Sequence, residues 1–219
     1  GTDPRYIAAL REAVAGRSPA SRQKVIRSAV CSPSQVVELD RARIVGERIN
    51  PTGKPAMKQA LLDGDSSYLA RQGIQQAEAG AHLLDVNVGL PGLDEAAAMK
   101  QAVKALQEVL DLPLVLDSSS PAALEAALRV YCGRAVINSV SGKEESMAQV
   151  FPLARKYGAM VIGLTLDENG IPSSARERLA VAKKIRDRAL SYGIPEERLL
   201  IDCLTLTVSS GQHNATETL

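Results

Sequence analysis

Short runs of apolar residues alternate with longer amphipathic segments along most of the chain. After Arg43, the apolar runs are residues 44–45, 83–86, 114–116, 135–137, 160–164 and 199–201. Between them, apolar residues at helical spacing predict helices over residues 66–79, 94–110, 121–131, 144–157 and 173–192. This alternation is typical of parallel strands that are joined by helical crossovers.

The apolar runs are nearly continuous, as expected for strands that are covered on both faces. Their regular recurrence favours an α/β fold of the (β/α)8 TIM-barrel type. A doubly wound open sheet remains an alternative on spacing alone. However, no Gly-x-Gly-x-x-Gly motif follows the first strand, which argues against the dinucleotide-binding version of that sheet.

The first 42 residues have a different pattern. Residues 3–15 are predicted to form one helix, with Asp3 as its cap and Pro4 at its first position. Residues 17–42 are mixed in character, and we interpret them as a linker that contains one short helix or a hairpin. The predicted divisions are therefore residues 1–16, a linker over 17–42, and a barrel over 43–219.

Charge and cysteine content narrow the class of protein. The 26 basic and 25 acidic residues give a net charge of +1, which offers no electrostatic case for binding nucleic acid or an anionic membrane. No apolar run is long enough for a membrane span, and no secretion signal is recognisable. The three cysteines, Cys31, Cys132 and Cys203, lack zinc spacing and are expected to be reduced thiols in a cytoplasmic protein. The two histidines, His82 and His213, lie far from them in sequence, so we expect no histidine–cysteine metal site, such as a self-contained zinc site, and no histidine-based catalytic triad.

Polar residues follow each predicted strand. Because the carboxyl ends of parallel strands meet on one face of a barrel, these side chains are expected to converge there as a ligand site. Each could instead only cap the next helix, but neighbouring carboxylates repel one another and would destabilise the fold without a function. The residues concerned are Glu47, Asn50, Asp85, Asn87, Asp117, Ser118, Asn138, Ser139, Asp167, Glu168 and Asp202.

Carboxylates combined with amides suit a planar amidine edge, in which two N–H donors meet two oxygens. Pterins and guanine-like rings carry such an edge. Metal binding by the same carboxylates is an alternative. It is less favoured, because the acids lie on separate strands with amides between them.

The polar strand ends also resemble a known family. Residues 46–53 read GERINPTG, and this segment resembles the first-strand motif of the pterin-binding methyltransferases. That family includes cobalamin-dependent methionine synthase and the methyltetrahydrofolate:corrinoid/iron-sulfur protein methyltransferase. The segments LDVNVG at 84–89, LDSS at 116–119, INS at 137–139 and ID at 201–202 resemble its later motifs in order.

The resemblance implies a dihydropteroate synthase-like TIM barrel with a pterin site. It assigns the pterin ring to Asp117, Asn138, Asp202 and Glu47. It places five further residues in the same opening with less defined roles: Asp85, Asn87, Asn50, Ser118 and Ser139. The two serines are expected to hold the acids in place, and Arg48 either neutralises Glu47 or Asp85 or contacts the substrate.

The implied reaction transfers the N5 methyl group of 5-methyltetrahydrofolate to Co(I) cobalamin, within methionine synthesis from homocysteine. The folate amine is a poor leaving group unless N5 gains a proton or a strong hydrogen bond. The barrel would orient the pterin and stabilise charge at N5. Cobalamin would be carried by a partner domain.

Both ends of the chain carry expectations from family resemblance. Residues 1–7 (GTDPRYI) resemble the segment that follows the paired zinc cysteines of a homocysteine-binding domain, so we expect a remnant of that domain here and zinc only upstream. A closed barrel has eight strands, and the family's N5-contacting asparagine lies on the seventh. No position for it exists here, so we expect a barrel that lacks its last strands and helices, and an isolated chain without activity.

Three alternatives remain. A dihydropteroate synthase would share the barrel, but its first strand typically reads Asn-x-Thr-Pro-Asp-Ser-Phe, and NPTGKP at residues 50–55 departs from that pattern. A folate-binding module without turnover is the second alternative. An unrelated barrel enzyme with a carboxylate-bound metal is the third.

Overall fold

The computed structural model describes residues 3–21, 27–207 and 216–218. Parts of all three predicted divisions, including His213, lie outside the described residues. The first helix, α1, spans Pro4–Val14, and its Asp3 cap accepts a hydrogen bond from the Arg5 backbone N–H at 2.8 Å. None of the α1 residues is buried.

Six parallel strands form the central sheet, in the sequential order β3-β4-β5-β6-β7-β8. The strands are β3 Val45–Ile49, β4 Leu83–Val86, β5 Leu114–Asp117, β6 Val136–Ser141, β7 Met160–Leu164 and β8 Leu199–Asp202. The helices are α2 Pro55–Asp63, α3 Ser66–Glu78, α4 Glu95–Gln107, α5 Pro121–Leu128, α6 Glu144–Tyr157 and α7 Ala175–Ser191, with a 3-10 turn at Glu196–Arg198. Within the described residues β3 and β8 are edge strands, so the sheet is an incomplete (β/α)8 barrel, as predicted.

The alternation of side chains along the strands separates two apolar clusters. Residues such as Leu84, Leu116 and Ile137 face the helices, in the larger cluster. Leu83, Val115, Val136 and Met160 form the smaller cluster on the inner face of the sheet. Because successive strand residues point to opposite faces, the residues two positions further along share the inner face. Those positions are Asp85, Asp117, Asn138 and Ile162.

A hairpin of β1 Ala29–Cys31 and β2 Val36–Glu38 covers the amino-terminal end of the barrel interior. Its Val30 and Val37 pack into the inner cluster. The backbones of Cys31 and Arg134 exchange two hydrogen bonds of 3.2 and 2.9 Å, and the Tyr131 hydroxyl donates to the Cys31 carbonyl at 2.8 Å. Of the two alternatives for residues 17–42, the structure therefore has the hairpin. The opposite end of the interior, where the strands terminate, stays open.

Three elements differ from the sequence prediction. Helix α2 was not expected, although Pro55 at its first turn and the buried Met57, Ala60 and Leu61 have helical spacing. Strand β3 continues to Ile49, and β6 continues through Asn138 and Ser139 to Ser141. The polar residues of these strands therefore lie within the sheet and not after it. Among the described residues, no helix is both long and apolar enough to cross a membrane.

Candidate functional site

A bulge in β3 places Glu47 at the site. The pairing of β3 with β4 contains one extra residue between Gly46 and Ile49. Gly46 lies against Gln76 and Leu84 of the helix-facing layer, and Ile49 is fully buried in that same layer. A bulge of this kind re-aims the side chain between two such residues. Glu47 is exposed, and its charge contributes to the raised pKa values of both Asp85 and Asp117.

Asp85 and Asn138 form the deeper of two carboxylate–amide pairs. The Asn138 side-chain amide donates to Asp85 Oδ1 at 3.2 Å. Asp85 is only 4% exposed, and its Oδ2 has no hydrogen-bond partner among the described residues. Burial raises the pKa of Asp85 to about 7, helped by the nearby charges of Asp117 and Glu47 and opposed by the Asn138 hydrogen bond. The deepest acid of the site therefore titrates near neutral pH.

Asn87 and Asp117 form the second pair, nearer the opening. The Asn87 amide donates to Asp117 Oδ2 at 2.8 Å, while its own oxygen accepts from the Gly89 backbone N–H at 2.9 Å. Both ends of the Asn87 amide are thus fixed. Burial raises the pKa of Asp117, as do Glu47 and Glu95, and the Asn87 hydrogen bond lowers it.

Ser118 connects the second pair to its surroundings. Its backbone N–H donates to the Asn138 carbonyl at 3.1 Å, and its hydroxyl donates to the Glu95 carboxylate. The hydroxyl also accepts from the Ser120 N–H at 2.9 Å. Sequence reasoning missed Glu95, because an acid in the first turn of a helix is also what the helix dipole favours.

The remaining predicted residues lie at the margins. Asp202 is exposed, and its Oδ1 accepts from the Leu204 N–H at 2.7 Å. Asn50 accepts from the Thr52 N–H at 2.9 Å in the turn after β3. Ser139 is half-buried, and within the described part of the chain we find no hydrogen bond from it to a site acid. The structure thus groups Glu47 with the two pairs and leaves these three residues outside that group.

Arg48 and Lys54 are two cationic residues near β3 whose contacts were not predicted from the sequence. Arg48 is exposed and forms no ion pair with Glu47 or Asp85 among the described residues. Its backbone N–H donates to Gln76 Oε1 at 2.7 Å. Lys54, which sequence reasoning missed, donates from Nζ to the carbonyls of Glu47 and Arg48 at 3.1 and 3.3 Å, and so braces the bulge.

The expectation that every strand end contributes to the site is wrong at β7. The chain turns back after this strand through a bridge between Asp167 and Gly170. Asp167 accepts from the Asn169 N–H at 2.8 Å within that turn. Glu168 lies 3.7 Å from Lys184 on the outer surface. Asp167 is therefore engaged in the local turn and Glu168 in a surface ion pair.

The arrangement suits a ligand that is rich in N–H donors. Each amide NH2 group donates one hydrogen bond to a carboxylate inside the site, so the carboxylate and carbonyl oxygens there outnumber the N–H donors that remain. A planar ring with adjacent N–H donors complements such oxygens. No group of three or more histidine, cysteine, aspartate or glutamate side chains that could hold a metal ion occurs in the described ranges.

Comparisons with known proteins agree with this chemistry. The sequence profile of the pterin-binding enzyme family matches residues 46–218. The chain belongs to this family. It is 33% identical to methionine synthase of Mycobacterium tuberculosis over 98% of its own length, but it spans only 19% of that protein. It is 28% identical to the methylcorrinoid:tetrahydrofolate methyltransferase of Eubacterium limosum, over 78% of this chain and 64% of that protein. The predicted resemblance is confirmed: this pterin-binding chain is related to folate and corrinoid methyltransferases.

Solved structures confirm the predicted barrel type. Dihydropteroate synthase from Xanthomonas albilineans, in complex with 7,8-dihydropteroate, superposes with a TM-score of 0.64 at 22% identity. The match covers 87% of this chain and 69% of that one. The synthase from Thermus thermophilus gives a TM-score of 0.55 at 21% identity, over 80% of this chain and 64% of that one. At these identities the likeness establishes the shared fold alone.

Proposed function

We propose that this chain is the pterin-binding barrel segment of a longer methyltransferase that binds 5-methyltetrahydrofolate. In this proposal, the N5 methyl group passes to Co(I) cobalamin on a partner domain, as part of methionine synthesis from homocysteine. The observation that carries the proposal is the pair of carboxylate–amide contacts on the inner face, Asp85 with Asn138 and Asn87 with Asp117. They occur in a chain that aligns with a methionine synthase over 98% of its length.

The site residues have separate tasks in this proposal. Asp117, Asn138 and Asp202 bind the donor edge of the pterin, and Glu47 lies beside the same ring. Asp85 and Asn87 hold two of these groups in place, and Ser118 links β5 to β6 through the Asn138 carbonyl. A fixed set of oxygens orients the ring before reaction, which is the contribution expected of a preorganised polar site.

The chemical step breaks the bond between N5 and the methyl carbon, and its electron pair stays on N5. Cobalamin, when it is docked, supplies the nucleophile that accepts the methyl group. The barrel's contribution is to position N5 at the opening and to supply hydrogen-bonding groups that stabilise the developing charge. By family resemblance, we assign cobalamin to a partner domain that docks over this opening.

Features outside the candidate site agree with a longer, multidomain protein, which we call the parent. Helix α1 leaves Tyr6, Ile7, Leu10 and Val14 more than half exposed, which agrees with a remnant of a homocysteine-binding domain that has lost its neighbours. Zinc would belong to that upstream domain. Three free cysteines agree with a cytoplasmic location. The isolated 219-residue chain is expected to be inactive in methyl transfer.

The test is a calorimetric titration of 5-methyltetrahydrofolate into the full-length parent protein. Saturable binding is expected, with a loss of roughly tenfold or more in Asp117→Ala and in Asp202→Ala, because a charge-assisted hydrogen bond is removed. Asp187→Ala, an exposed change on α7, is the matched control. Absence of binding to a well-folded parent would overturn the proposal.

A dihydropteroate synthase is the second candidate, because the family match over residues 46–218 is to pterin-binding enzymes in general. Formation of 7,8-dihydropteroate by the parent, from 4-aminobenzoic acid and a dihydropterin diphosphate with release of diphosphate, would support it. Binding of 5-methyltetrahydrofolate without transfer to cobalamin would instead indicate a folate-binding module without turnover.

A further inference from the structure

Asp85 lies one layer deeper in the sheet than the other acids. In the sheet register it is opposite Val115, whereas Asp117, at the end of β5, is opposite Asn138. At 4% exposed it is less accessible than the half-buried Asp117. A ligand that enters from the open end therefore meets Asp117 and Asn138 before it can reach Asp85.

Asp85 accepts a hydrogen bond from the NH2 end of the Asn138 side-chain amide. The Asn138 Nδ2 group donates to Asp85 Oδ1 at 3.2 Å, and no hydrogen bond engages Asn138 Oδ1 among the described residues. An isolated amide could present either its NH2 group or its oxygen to a ligand. With one N–H of Nδ2 directed at the buried Asp85 carboxylate, the orientation of the amide is fixed and its oxygen, on the other side of the group, is available to accept from the ligand.

The surroundings of Asp85 reinforce this orientation. Glu47 on β3 and Asp117 on β5 are the charged groups that influence it, and both are acids. No ion pair to Asp85 occurs within the described ranges. An amide NH2 is therefore the stabilising donor in this acidic environment, and reversal of Asn138 would bring its oxygen against the ionised form of the Asp85 carboxylate.

We propose that Asp85 is a positioning residue that fixes the Asn138 amide with its oxygen available to the ligand, so that the site selects a ring with an N–H donor at that point. This inference rests on the proposed function, since the ligand is taken to be 5-methyltetrahydrofolate. It goes beyond that function by separating Asp85 from the residues that touch the pterin. A ring with an acceptor nitrogen at that point would place the lone pair of that nitrogen against the Asn138 oxygen. A site built to accept from an N–H donor binds such a ring far more weakly.

A reciprocal swap of the pair tests the inference in the full-length parent. The variants are Asp85→Leu, Asp85→Asn, Asn138→Asp and the double variant Asp85→Asn/Asn138→Asp, with Asp187→Asn as the exposed control. Asp85→Leu is expected to weaken 5-methyltetrahydrofolate binding by roughly two- to tenfold, the range for loss of one hydrogen bond. Asp85→Asn should lose less, because its carbonyl oxygen can still accept from Asn138.

The double variant is decisive. Asn138→Asp alone sets two carboxylates against each other and should bind more weakly than Asp85→Leu. Adding Asp85→Asn restores a donor–acceptor pair and still presents an oxygen to the ligand, so the affinity should recover at least severalfold. A purely structural role for Asp85 would change the affinity only in parallel with the stability, so a recovery of affinity that exceeds the recovery of the unfolding temperature identifies the positioning role. Thermal unfolding of each variant shows whether the fold is retained.

The outcomes separate the two proposals. Binding by the wild type without recovery in the double variant would overturn the positioning role of Asp85 and leave the proposed function standing. Failure of the folded wild type to bind 5-methyltetrahydrofolate would overturn the proposed function itself. Recovery in the double variant supports both.

Discussion

The side-chain amide of Asn87 donates a hydrogen bond of 2.8 Å to the Asp117 carboxylate, and this contact joins the ends of β4 and β5. The Gly89 N–H holds the other end of the amide at 2.9 Å. Burial and nearby acids raise the pKa of Asp117, and the Asn87 hydrogen bond opposes that rise. Asn87 therefore favours the ionised form of Asp117, which is the form that accepts hydrogen bonds from a pterin.

We predict that Asn87→Ala weakens binding of 5-methyltetrahydrofolate, and more so at pH 6 than at pH 8. Loss of the donor leaves the Asp117 pKa higher, so a larger fraction of the carboxyl group is protonated at the lower pH. Removal of one such hydrogen bond should reduce affinity by roughly three- to tenfold. Calorimetric titration at both pH values measures the effect, with the exposed Gln59→Ala as control. Equal losses at both pH values would contradict the link to Asp117.

The buried Asp85 predicts a pH-dependent stability. Burial raises its folded-state pKa to about 7, above the ordinary value of about 4 in the unfolded chain. The folded state therefore holds the proton more tightly. The stabilisation is fully present below about pH 4 and is lost as pH rises through about 7. The free energy of unfolding should fall across this interval, by an amount on the order of 1–3 kcal/mol.

Urea unfolding at a series of pH values measures this change, and Asp85→Asn provides the comparison. An amide at this position does not titrate, so the slope between pH 4 and 7 should become shallower. Some slope should persist, because burial also raises the pKa of Asp117. An unchanged slope in Asp85→Asn would show that Asp85 does not carry the effect.

The sequence was informative where the relevant geometry is local. Asp85 and Asn87 are two residues apart, so their common face of β4 follows from strand geometry. Asp117 and Asn138 each follow an apolar run of a neighbouring strand, and they pair across the sheet. The parallel strands and most of the helices could likewise be predicted from apolar periodicity alone, because this periodicity is a local property of the chain.

The sequence was uninformative where one residue of register or a distant partner decides the geometry. The extra residue in β3 that positions Glu47 is visible only in the pairing with β4. The contact of Ser118 with Glu95 joins residues 23 positions apart. Asp167 and Glu168 looked equivalent to the other strand-end acids, but the turn to Gly170 directs them elsewhere.

Gly133 is predicted to be essential for seating the hairpin on the barrel. Its φ is +144°, and a Cβ at this position would lie 2.2 Å from the Cys31 carbonyl oxygen. Backbone atoms cannot move aside as a side chain can, so Gly133→Ala should displace β1 and reduce stability by about 3 kcal/mol or more. Gly80→Ala is the matched control, because Gly80 also has a positive φ, of +92°, but has no atom within 4 Å of its Cβ position. That control should cost only about 1–2 kcal/mol.

Thermal and urea unfolding of both variants measure the difference. The same experiment shows whether the hairpin stabilises the barrel, since Val30 and Val37 pack on its inner cluster. Equal destabilisation by the two substitutions would mean that the hairpin shifts at little cost, and the prediction would then be wrong.

Arg178 on α7 holds the segment that follows β8. It is 3% exposed, and its Nη1 donates to the carbonyls of Cys203 and Leu204 at 3.1 and 3.2 Å. Its Nε donates to the Pro172 carbonyl at 3.0 Å. A buried arginine thus links the loop before α7 to the loop after β8.

We predict that Arg178→Met lowers both the stability and the affinity for 5-methyltetrahydrofolate. The Leu204 N–H donates to Asp202 Oδ1 at 2.7 Å, so release of Leu204 also releases the carboxylate of Asp202. Methionine preserves much of the buried bulk but donates no hydrogen bond, and the loss of these part-buried hydrogen bonds should cost about 1–3 kcal/mol. Urea unfolding and calorimetric titration of Arg178→Met are compared with those of Arg176→Met, an exposed change two residues earlier. If Arg178→Met loses stability but binds folate as the wild type does, Arg178 supports the fold without positioning Asp202.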